Sequence, residues 1–333
     1  MNIIDNKLNA VFTPDNTLSL LRFSLPFQHT MHFKQQALTA RKGLWLVQQD
    51  SLGQQWIGEI APLPGFSTET LAQAEQQLLA LLQGISAMNS ETLFPSIHFA
   101  LYCLTEKVPY HSPQKTSNSL TSVPLLQGDI TTIKTRYLAL HQPCLVKLKV
   151  ARTDINDDIQ CLHQLIAMNP QVRFRLDANQ QWSAQEYSDF LTAIDTKYID
   201  YIEEPTLSLQ DNLTISAQFD VHIALDETLL STPSLPVHPC IRALIIKPTL
   251  LGDPQRIKQY LRYAQQHQLS VSISASFESP IAIHQLHHLA HQWQQTYALE
   301  ISLGLDTLQA FPATVEQNIP ALLQGAQRLW HTS

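Results

Sequence analysis

The pattern of apolar and polar positions changes in character along the chain. Up to residue 110, strand-like apolar runs are followed by positions with helical spacing. The strand-like runs cover 18–25, 43–47 and 54–60. Ser67 is a plausible N-cap for a first helix, whose apolar stripe comprises Leu71, Ala74, Leu78 and Leu81. A second helix is predicted over 97–106, so this part of the chain is expected to be α+β.

From residue 120 onward, short apolar runs recur, and each is followed by a stretch compatible with a helix. The runs lie at 125–129, 145–150, 173–179, 199–205, 222–227, 243–249, 270–276 and 301–306. Alternating strands and helices are typical of a parallel sheet, and eight repeats favour a closed barrel. An open doubly wound sheet is the competing architecture, but the G-x-G-x-x-G sequence that usually accompanies it is missing.

Two domains follow from this pattern. An α+β capping domain is predicted over 1–110, and a modified TIM barrel of the (β/α)7β type over 120–307. The polar stretch 111–122 is expected to be a connecting loop. The tail, 308–333, contains no further repeat and is expected to pack on the capping domain. The predicted fold class is therefore α/β.

Composition and charge narrow the classes of function. The chain has 333 residues, of which 44% are hydrophobic, so it can form a core and is not expected to be disordered. A formal net charge of −7 argues against nucleic-acid and membrane partners. No apolar run approaches the roughly 20 residues of a membrane helix, and no secretory signal pattern is visible. Four widely spaced cysteines favour reduced thiols and a cytoplasmic location. Monomer and homo-oligomer both remain open.

Polar residues fall near the ends of successive predicted barrel strands. In chain order they are Lys147 and Lys149, Asp177 and Asn179, Glu203, Asp226, Lys247, and Ser274 and Ser276. Barrel enzymes build their active sites at the carboxyl ends of the strands. Residues two apart on a strand share a face, so Lys147 and Lys149 are expected to point together into the barrel mouth.

The three acidic residues predict a metal site. Asp177, Glu203 and Asp226 would converge from neighbouring strands, and unpaired carboxylates held together raise each other's pKa. Mg²⁺ resolves this repulsion because it prefers oxygen ligands. The two lysines, Lys147 and Lys149, are expected to lower each other's pKa, as a general base requires. Each motif alone fits an edge strand or a helix cap, and only their ordered combination indicates an active site.

Six short motifs in the barrel and one in the first domain resemble a known family. They are K-L-K at 147–149, D-A-N at 177–179, E-E-P at 203–205, D-E-T at 226–228, K-P-T at 247–249, G-L-D-T at 304–307 and G-E-I-A-P-L-P-G-F-S at 58–67. The chain resembles the enolase superfamily, in its muconate-lactonizing enzyme subgroup. The resemblance covers nearly the whole chain.

The resemblance implies a role for each candidate residue. The metal ligands would be Asp177, Glu203 and Asp226, binding Mg²⁺ or Mn²⁺. Lys149 would be the base that takes the proton next to the substrate carboxylate, and then the acid that protonates the leaving hydroxyl. Lys247 would stabilise the anionic intermediate and Lys147 would support Lys149. The substrate, a small-molecule carboxylate, would contact Asn179, Ser274 and Ser276.

Within the subgroup, the segments 58–67 and 304–307 favour a lyase of menaquinone biosynthesis. It would dehydrate 2-succinyl-6-hydroxy-2,4-cyclohexadiene-1-carboxylate through an enediolate. The alternatives are an N-succinylamino acid racemase, a dipeptide epimerase, a Schiff-base lyase using Lys247, and a catalytically silent ligand-binding barrel. Ala275 and Ala282 depart from the serine and glycine that are usual in the family, which affects substrate recognition.

Overall fold

The computed structural model describes residues 8–13, 15–33, 36–112, 120–232 and 234–332. Its first sheet has four antiparallel strands: β1 (Thr17–Phe33), β2 (Gln36–Gln49), β3 (Gln55–Ile60) and, from the far end of the chain, β13 (Gln327–His331). The strand order is β13-β1-β2-β3. Because β13 pairs with β1, the C-terminal tail returns to the N-terminal sheet, as predicted.

The second sheet is parallel and contains the rest of the strands. They are β4 (Thr121–Ser122), β5 (Leu125–Leu126), β6 (Leu145–Lys149), β7 (Arg173–Asp177), β8 (Ile199–Glu203), β9 (Ile223–Leu225), β10 (Ile241–Ile246), β11 (Ser270–Ser274) and β12 (Ile301–Gly304). The order is β4-β12-β11-β10-β9-β8-β7-β6-β5.

One short segment closes this sheet into a barrel. The two edge strands, β4 and β5, are separated in the chain only by Val123 and Pro124. Ser122 in β4 pairs with Leu303 of β12, the last barrel strand, while Leu125 in β5 pairs with Lys147 of β6. The first barrel strand is thus split in two by a proline, which cannot donate to a ladder. This closure rules out the open doubly wound sheet.

Helices surround the barrel and cover one side of the four-stranded sheet. They are α1 (Leu71–Leu82), α2 (Pro95–Thr105), α3 (Ile130–Ala139), α4 (Ile155–Met168), α5 (Ala184–Ala193), α6 (Leu209–Gln218), α7 (Glu227–Ser231), α8 (Pro248–Leu251), α9 (Pro254–Gln266), α10 (Pro280–Tyr297), α11 (Ala313–Gln317) and α12 (Ile319–Gly325). In the described part of the chain, the last barrel strand, β12, is not followed by another barrel helix. The predicted (β/α)7β type with an α+β cap is therefore confirmed.

The four-stranded sheet packs closely on α2. Gly58 lies in β3, and a Cβ at this position would stand 2.5 Å from the carbonyl oxygen of Ala100 in α2. Only glycine therefore allows this approach of strand and helix. Leu44, Leu46 and Ile97 are fully buried in the same contact. Among the described residues, none of the helices is both long and apolar enough to span a bilayer.

Three local predictions need correction. The N-cap of α1 is Thr70, which forms a capping box with Gln73, and not Ser67. The Ser67 hydroxyl instead accepts the Leu63 N–H and closes the preceding loop. The predicted loop 111–122 ends in strand β4, while residues 113–119 lie outside the described part of the chain. Most barrel strands end two or three residues before their predicted ends, because the polar residues that follow turn out of the ladder.

Candidate active site

Strand β6 presents its two lysines to the inside of the barrel. Burial alternates along the strand: Val146 and Leu148 are buried, whereas Lys147 and Lys149 are partly exposed. The apolar face packs among residues of the surrounding helices, including Leu162 of α4. The predicted orientation of the K-L-K motif is therefore confirmed.

The register between neighbouring strands places further polar residues beside these lysines. Lys149 pairs with Asp177 on β7, and Asp177 pairs with Glu203 on β8. Glu203 in turn pairs with Ala224, two residues before Asp226. In a parallel sheet, neighbours in register lie side by side, so the three strand ends place these groups next to one another.

The lysines and carboxylates form a chain of ion pairs. Lys147 Nζ lies 2.8 Å from Asp177 Oδ2 and 2.6 Å from Glu203 Oε2. Lys149 Nζ lies 2.6 Å from the same Asp177 oxygen, and Lys247 Nζ contacts Asp226 Oδ2. The three carboxylates are at most 2% exposed. We call these six residues the barrel-mouth cluster.

Burial and neighbouring charges shift the pKa values of the three carboxylates in different directions. Burial raises the pKa of Glu203 to about 8, with a further contribution from Asp177 that Lys147 partly offsets. Burial also raises the pKa of Asp226 to about 6, against the opposing charge of Lys247. Burial acts on Asp177 too, but two lysine charges outweigh it and hold its pKa far below the usual value. Charge is therefore unevenly compensated across the cluster.

The expectation that Lys147 has a lowered pKa is wrong for this structure. Burial would lower the pKa of Lys147, but Asp177 and Glu203 outweigh burial and raise it well above its usual value. The pKa of Lys247 is raised for the same reason, by Asp226 and Glu227. Carboxylates in contact thus decide the protonation of these two lysines, which remain ammonium groups.

The donor set suits a hard divalent cation. Asp177, Glu203 and Asp226 offer only oxygen atoms, which Mg²⁺ prefers. Glu203 Oε1 is buried without a hydrogen-bond partner, and such an atom costs about 1–3 kcal/mol unless a ligand satisfies it. Within the described residues, however, no three acidic, histidine or cysteine groups lie close enough to hold an ion together. Each of the three carboxylates contacts a lysine. The three carboxylates thus have the oxygen atoms that Mg²⁺ prefers, although they form ion pairs with lysines in this structure.

Asn179 lies directly against Lys149. Its Oδ1 accepts a hydrogen bond from Lys149 Nζ at 2.7 Å, and its Nδ2 donates to Glu227 Oε1 at 3.2 Å. The structure therefore places Asn179 beside Lys149, and its predicted contact with the substrate stays a prediction. Glu227 Oε2 is buried without a partner.

The two serines of the seventh barrel strand lie at the end of β11 and just beyond it. Ser274 pairs with Gly304, and a Cβ on Gly304 would approach the Ser274 hydroxyl to 3.3 Å. Ser276 is 4% exposed, and its hydroxyl oxygen is buried without a partner. Among the described residues, neither serine is hydrogen-bonded to the barrel-mouth cluster, and the Ser276 N–H donates to Glu278.

Two glutamates next to the cluster were not predicted as site residues. Glu227 follows Asp226, and its Oε1 accepts a hydrogen bond from Asn179. Glu204 follows Glu203, turns away from the cluster, and is 1% exposed with four hydrogen-bond donors around it. The only sequence signal for either is adjacency to a candidate ligand. Asp306, at the last strand end, forms an ion pair with Arg136 and does not join the cluster.

Two sequence profiles together match most of the chain. Residues 16–108 match the profile "MenC, N-terminal domain", and residues 136–322 match "Enolase C-terminal domain-like". The boundary between the two matches falls between the α2 helix and the first full barrel repeat.

Known proteins of similar sequence and fold agree with these profiles. An o-succinylbenzoate synthase of Pectobacterium atrosepticum is 31% identical over 91% of this chain and 94% of its own length. The crystal structure of an o-succinylbenzoate synthase from Thermosynechococcus elongatus BP-1, complexed with Mg in its active site, matches with a TM-score of 0.67 and 24% identity over 89% of this chain and 95% of that one. An N-succinyl Arg/Lys racemase from Bacillus cereus matches with a TM-score of 0.71 and 15% identity over 89% and 88%. The two structures share the fold, whereas the sequence relative shares substantial identity along almost its full length.

Proposed function

The chain belongs to the o-succinylbenzoate synthases of the enolase superfamily, and on that premise we propose how its barrel-mouth cluster performs the reaction. The protein is a hydro-lyase. It converts 2-succinyl-6-hydroxy-2,4-cyclohexadiene-1-carboxylate to o-succinylbenzoate and water, in our proposal as a step of menaquinone biosynthesis. The proposed residue roles rest on one observation: Lys149, Asp177 and Glu203 are paired in register on three neighbouring strands.

We propose that Asp177, Glu203 and Asp226 hold Mg²⁺, with Mn²⁺ as the alternative ion because it takes the same oxygen ligands. The all-oxygen donor set and the unpartnered Glu203 Oε1 support this assignment. A divalent ion bound there supplies Lewis-acid stabilisation to the substrate carboxylate as negative charge develops.

Lys149 is the proton carrier in this proposal. A proton next to a carboxylate is weakly acidic, because its removal creates a dianionic enediolate. Lys149 in its neutral form takes that proton, and the resulting ammonium returns it to the hydroxyl that leaves from the same face. Water departs, the ring becomes aromatic, and Lys149 is again neutral. Asn179 Oδ1 contacts Nζ and fixes its position during both transfers.

The other two lysines act as fixed charges. Lys247 lies across the barrel mouth, and its ammonium group would stabilise the anionic intermediate. Lys147 bridges Asp177 and Glu203 and so supports the side of the cluster next to Lys149. We place Asn179, Ser274 and Ser276 at the substrate.

The N-terminal sheet supplies the cover of the site in this proposal. We assign 1–110 and 308–333 to a capping domain and 120–307 to the catalytic barrel. The cap would close over the succinyl group and exclude water from the enediolate. We propose a cytoplasmic enzyme with a small-molecule substrate and without nucleic-acid or membrane partners, which the net charge of −7 supports.

A racemase or epimerase of the same fold differs in one chemical requirement. It must protonate its intermediate from both faces, so both Lys149 and Lys247 must exchange protons with solvent. A syn dehydratase needs only Lys149 to move protons. In this proposal Lys247 remains a cation beside Asp226 throughout the reaction.

The deciding experiment measures both reactions on the same protein. Dehydration is followed by the appearance of o-succinylbenzoate, and α-proton exchange of each enantiomer of an N-succinylamino acid is followed by NMR in deuterated water. We expect efficient dehydration with slow or undetectable exchange. Exchange of both enantiomers at rates comparable to dehydration would make the protein a dual-function enzyme, and the absence of both reactions would support a silent barrel.

A further inference from the structure

The carboxylate of Glu204 is completely enclosed by hydrogen-bond donors from two neighbouring loops. Its Oε1 accepts the backbone N–H groups of Asp226 and Thr228, both at 2.8 Å. Its Oε2 accepts from Thr228 Oγ1 and from Gln180 Nε2, both at 3.1 Å. The side chain is 1% exposed, so these four bonds account for its burial.

A left-handed backbone turn places this side chain away from the barrel mouth. Glu204 has φ +40°, a conformation that side-chain-bearing residues adopt only where the surrounding structure compensates. It follows Glu203, the last residue of β8, whose carboxylate faces the cluster. The turn thus lets two consecutive glutamates act in different places, one in the mouth and one behind it.

The turn after β9 shows what the bonds to Glu204 achieve. Asp226 stands at the N-cap of α7, where an aspartate ordinarily accepts N–H groups of its own helix. Its side chain makes no such capping bond here. Glu204 accepts the Thr228 N–H instead, so the Asp226 carboxylate is free to face Lys247.

Glu204 also holds the loop on its other side. Its backbone carbonyl accepts the Gln180 N–H at 2.7 Å, while its carboxylate accepts the Gln180 side chain. Gln180 follows Asn179, which contacts Lys149, and both residues have positive φ. One residue therefore fixes the two loops that carry the partners of Lys149 and Lys247.

We propose that Glu204 is a positioning residue that caps α7 in place of Asp226 and so directs the Asp226 carboxylate to the metal. The inference rests on the ligand set proposed above. It assigns the effect to hydrogen-bond acceptance and not to negative charge, because all four contacts are made to donors. Residues that orient metal ligands in this way are typically worth about 10–100-fold in metal affinity.

The test is Mg²⁺ binding to the full-length, metal-stripped protein, measured by isothermal titration calorimetry below the unfolding temperature. Glu204→Gln keeps an acceptor oxygen for the two backbone N–H groups. Its amide NH2 then lies at the Oε2 position, where the Thr228 hydroxyl and the side-chain oxygen of Gln180 can turn to accept from it, so we expect an affinity near that of the parent protein. Glu204→Asp keeps the charge but is one methylene too short, and we expect binding to weaken by about 10–100-fold. Glu204→Ala should weaken it at least as much. Affinity retained by Asp and lost by Gln would overturn the inference.

Glu69→Ala is the matched control for loss of a buried carboxylate. Glu69 is 4% exposed and accepts the N–H and hydroxyl of Ser96 at the start of α2, in the capping region. This variant should lose stability and keep its Mg²⁺ affinity. An equal loss of affinity in Glu69→Ala and Glu204→Asp would show that the effect on binding is a general consequence of destabilisation, which contradicts the proposal.

Asp226→Asn separates this inference from the proposed ligand set. If Asp226→Asn weakens Mg²⁺ binding and Glu204→Asp does not, the positioning role of Glu204 is wrong while the ligand assignment stands. If Asp226→Asn leaves binding unchanged, the ligand assignment itself fails, and the positioning role fails with it.

Discussion

Two groups of buried charged residues in this protein differ in how completely their polar atoms are hydrogen-bonded. One is the barrel-mouth cluster. The other is a joint between the N-terminal sheet and the barrel, formed by Arg41, Glu59 and Glu278, each at most 3% exposed. We call this second group the cap joint.

Every charged group of the cap joint has its hydrogen-bond partners. The Arg41 guanidinium donates to the backbone carbonyls of Ala61, Pro62 and Phe277. Glu59 accepts from Trp45 Nε1 at 3.0 Å and from the N–H and hydroxyl of Ser279. These contacts bring together the post-β3 loop and the loop after β11, which are distant in sequence.

Glu278 completes the joint on the barrel side. It accepts hydrogen bonds from the hydroxyl of Thr249 and from the N–H of Ser276. Burial raises the pKa of Glu59, although its bonds to Ser279 and Trp45 oppose the shift. The joint is thus a closed network whose bonds are made within the protein.

The mouth differs because acceptor atoms there remain without donors. Glu203 Oε1 and the neighbouring Glu227 Oε2 are buried without a hydrogen-bond partner. A satisfied network stabilises the fold, whereas an unsatisfied one is ready to bind a ligand. The comparison predicts that mutations in the two regions affect stability and activity in opposite ways.

The largest expected effect is on activity in the mouth. Lys149→Ala removes the proposed proton carrier, and turnover should fall by about 10²–10⁴-fold. Steady-state dehydration assays measure this. Lys197→Ala is the control, since Lys197 is a surface lysine that pairs with Asp195 and lies over the Tyr198 ring. Near-normal turnover in Lys149→Ala would show that another residue is the base.

The next effect is on stability in the cap joint. Glu59→Ala leaves Trp45 Nε1 and the Ser279 N–H buried without an acceptor and removes a countercharge of Arg41. We expect the free energy of unfolding to fall by about 3 kcal/mol, as measured by urea denaturation. Glu75→Ala breaks the exposed Arg22 pair and should cost less than about 1 kcal/mol. Equal losses in the two variants would contradict the account of the joint.

The smallest effect has the opposite sign. Glu203→Gln replaces a buried carboxylate, whose pKa is raised by burial, with a neutral group of the same shape. The metal-free protein should keep its stability or gain on the order of 1 kcal/mol, while Mg²⁺ binding is lost. Urea denaturation without metal and calorimetry with Mg²⁺ measure the two parts. A large loss of stability would show that the mouth is as fully satisfied as the joint.

The barrel could be predicted from sequence because its signal is local. All eight predicted runs contain a strand. The predicted lysines and metal ligands lie in the barrel-mouth cluster, whereas Asp306 at the end of the eighth run pairs with Arg136 instead. Strand ends were less accurate: Asn179 and Pro205 lie beyond the ladders, because the backbone leaves the strand at Asp177 and Glu203. Apolar periodicity alone does not mark the residue at which a strand turns.

The cap joint and the role of Glu204 could not be predicted in the same way. Glu59 and Ser279 are 220 positions apart, and no pattern along the chain connects them. The hydrogen-bond partners of Glu204 depend on its positive φ angle, which a glutamate in the sequence does not predict. The pKa of Lys147 was predicted in the wrong direction, because the two carboxylates in contact with it, Asp177 and Glu203, outweigh the effect of burial and raise its pKa.

We propose that the barrel mouth, where Glu203 Oε1 is buried without a partner, is the Mg²⁺ site of the dehydration. The most direct measurement is the rate of o-succinylbenzoate formation by the full-length protein after chelator treatment, before and after Mg²⁺ is added back. We predict that turnover is abolished by removal of divalent ions and restored by Mg²⁺, because the three carboxylates need a cation to act on the substrate. Full activity in excess chelator would contradict the account.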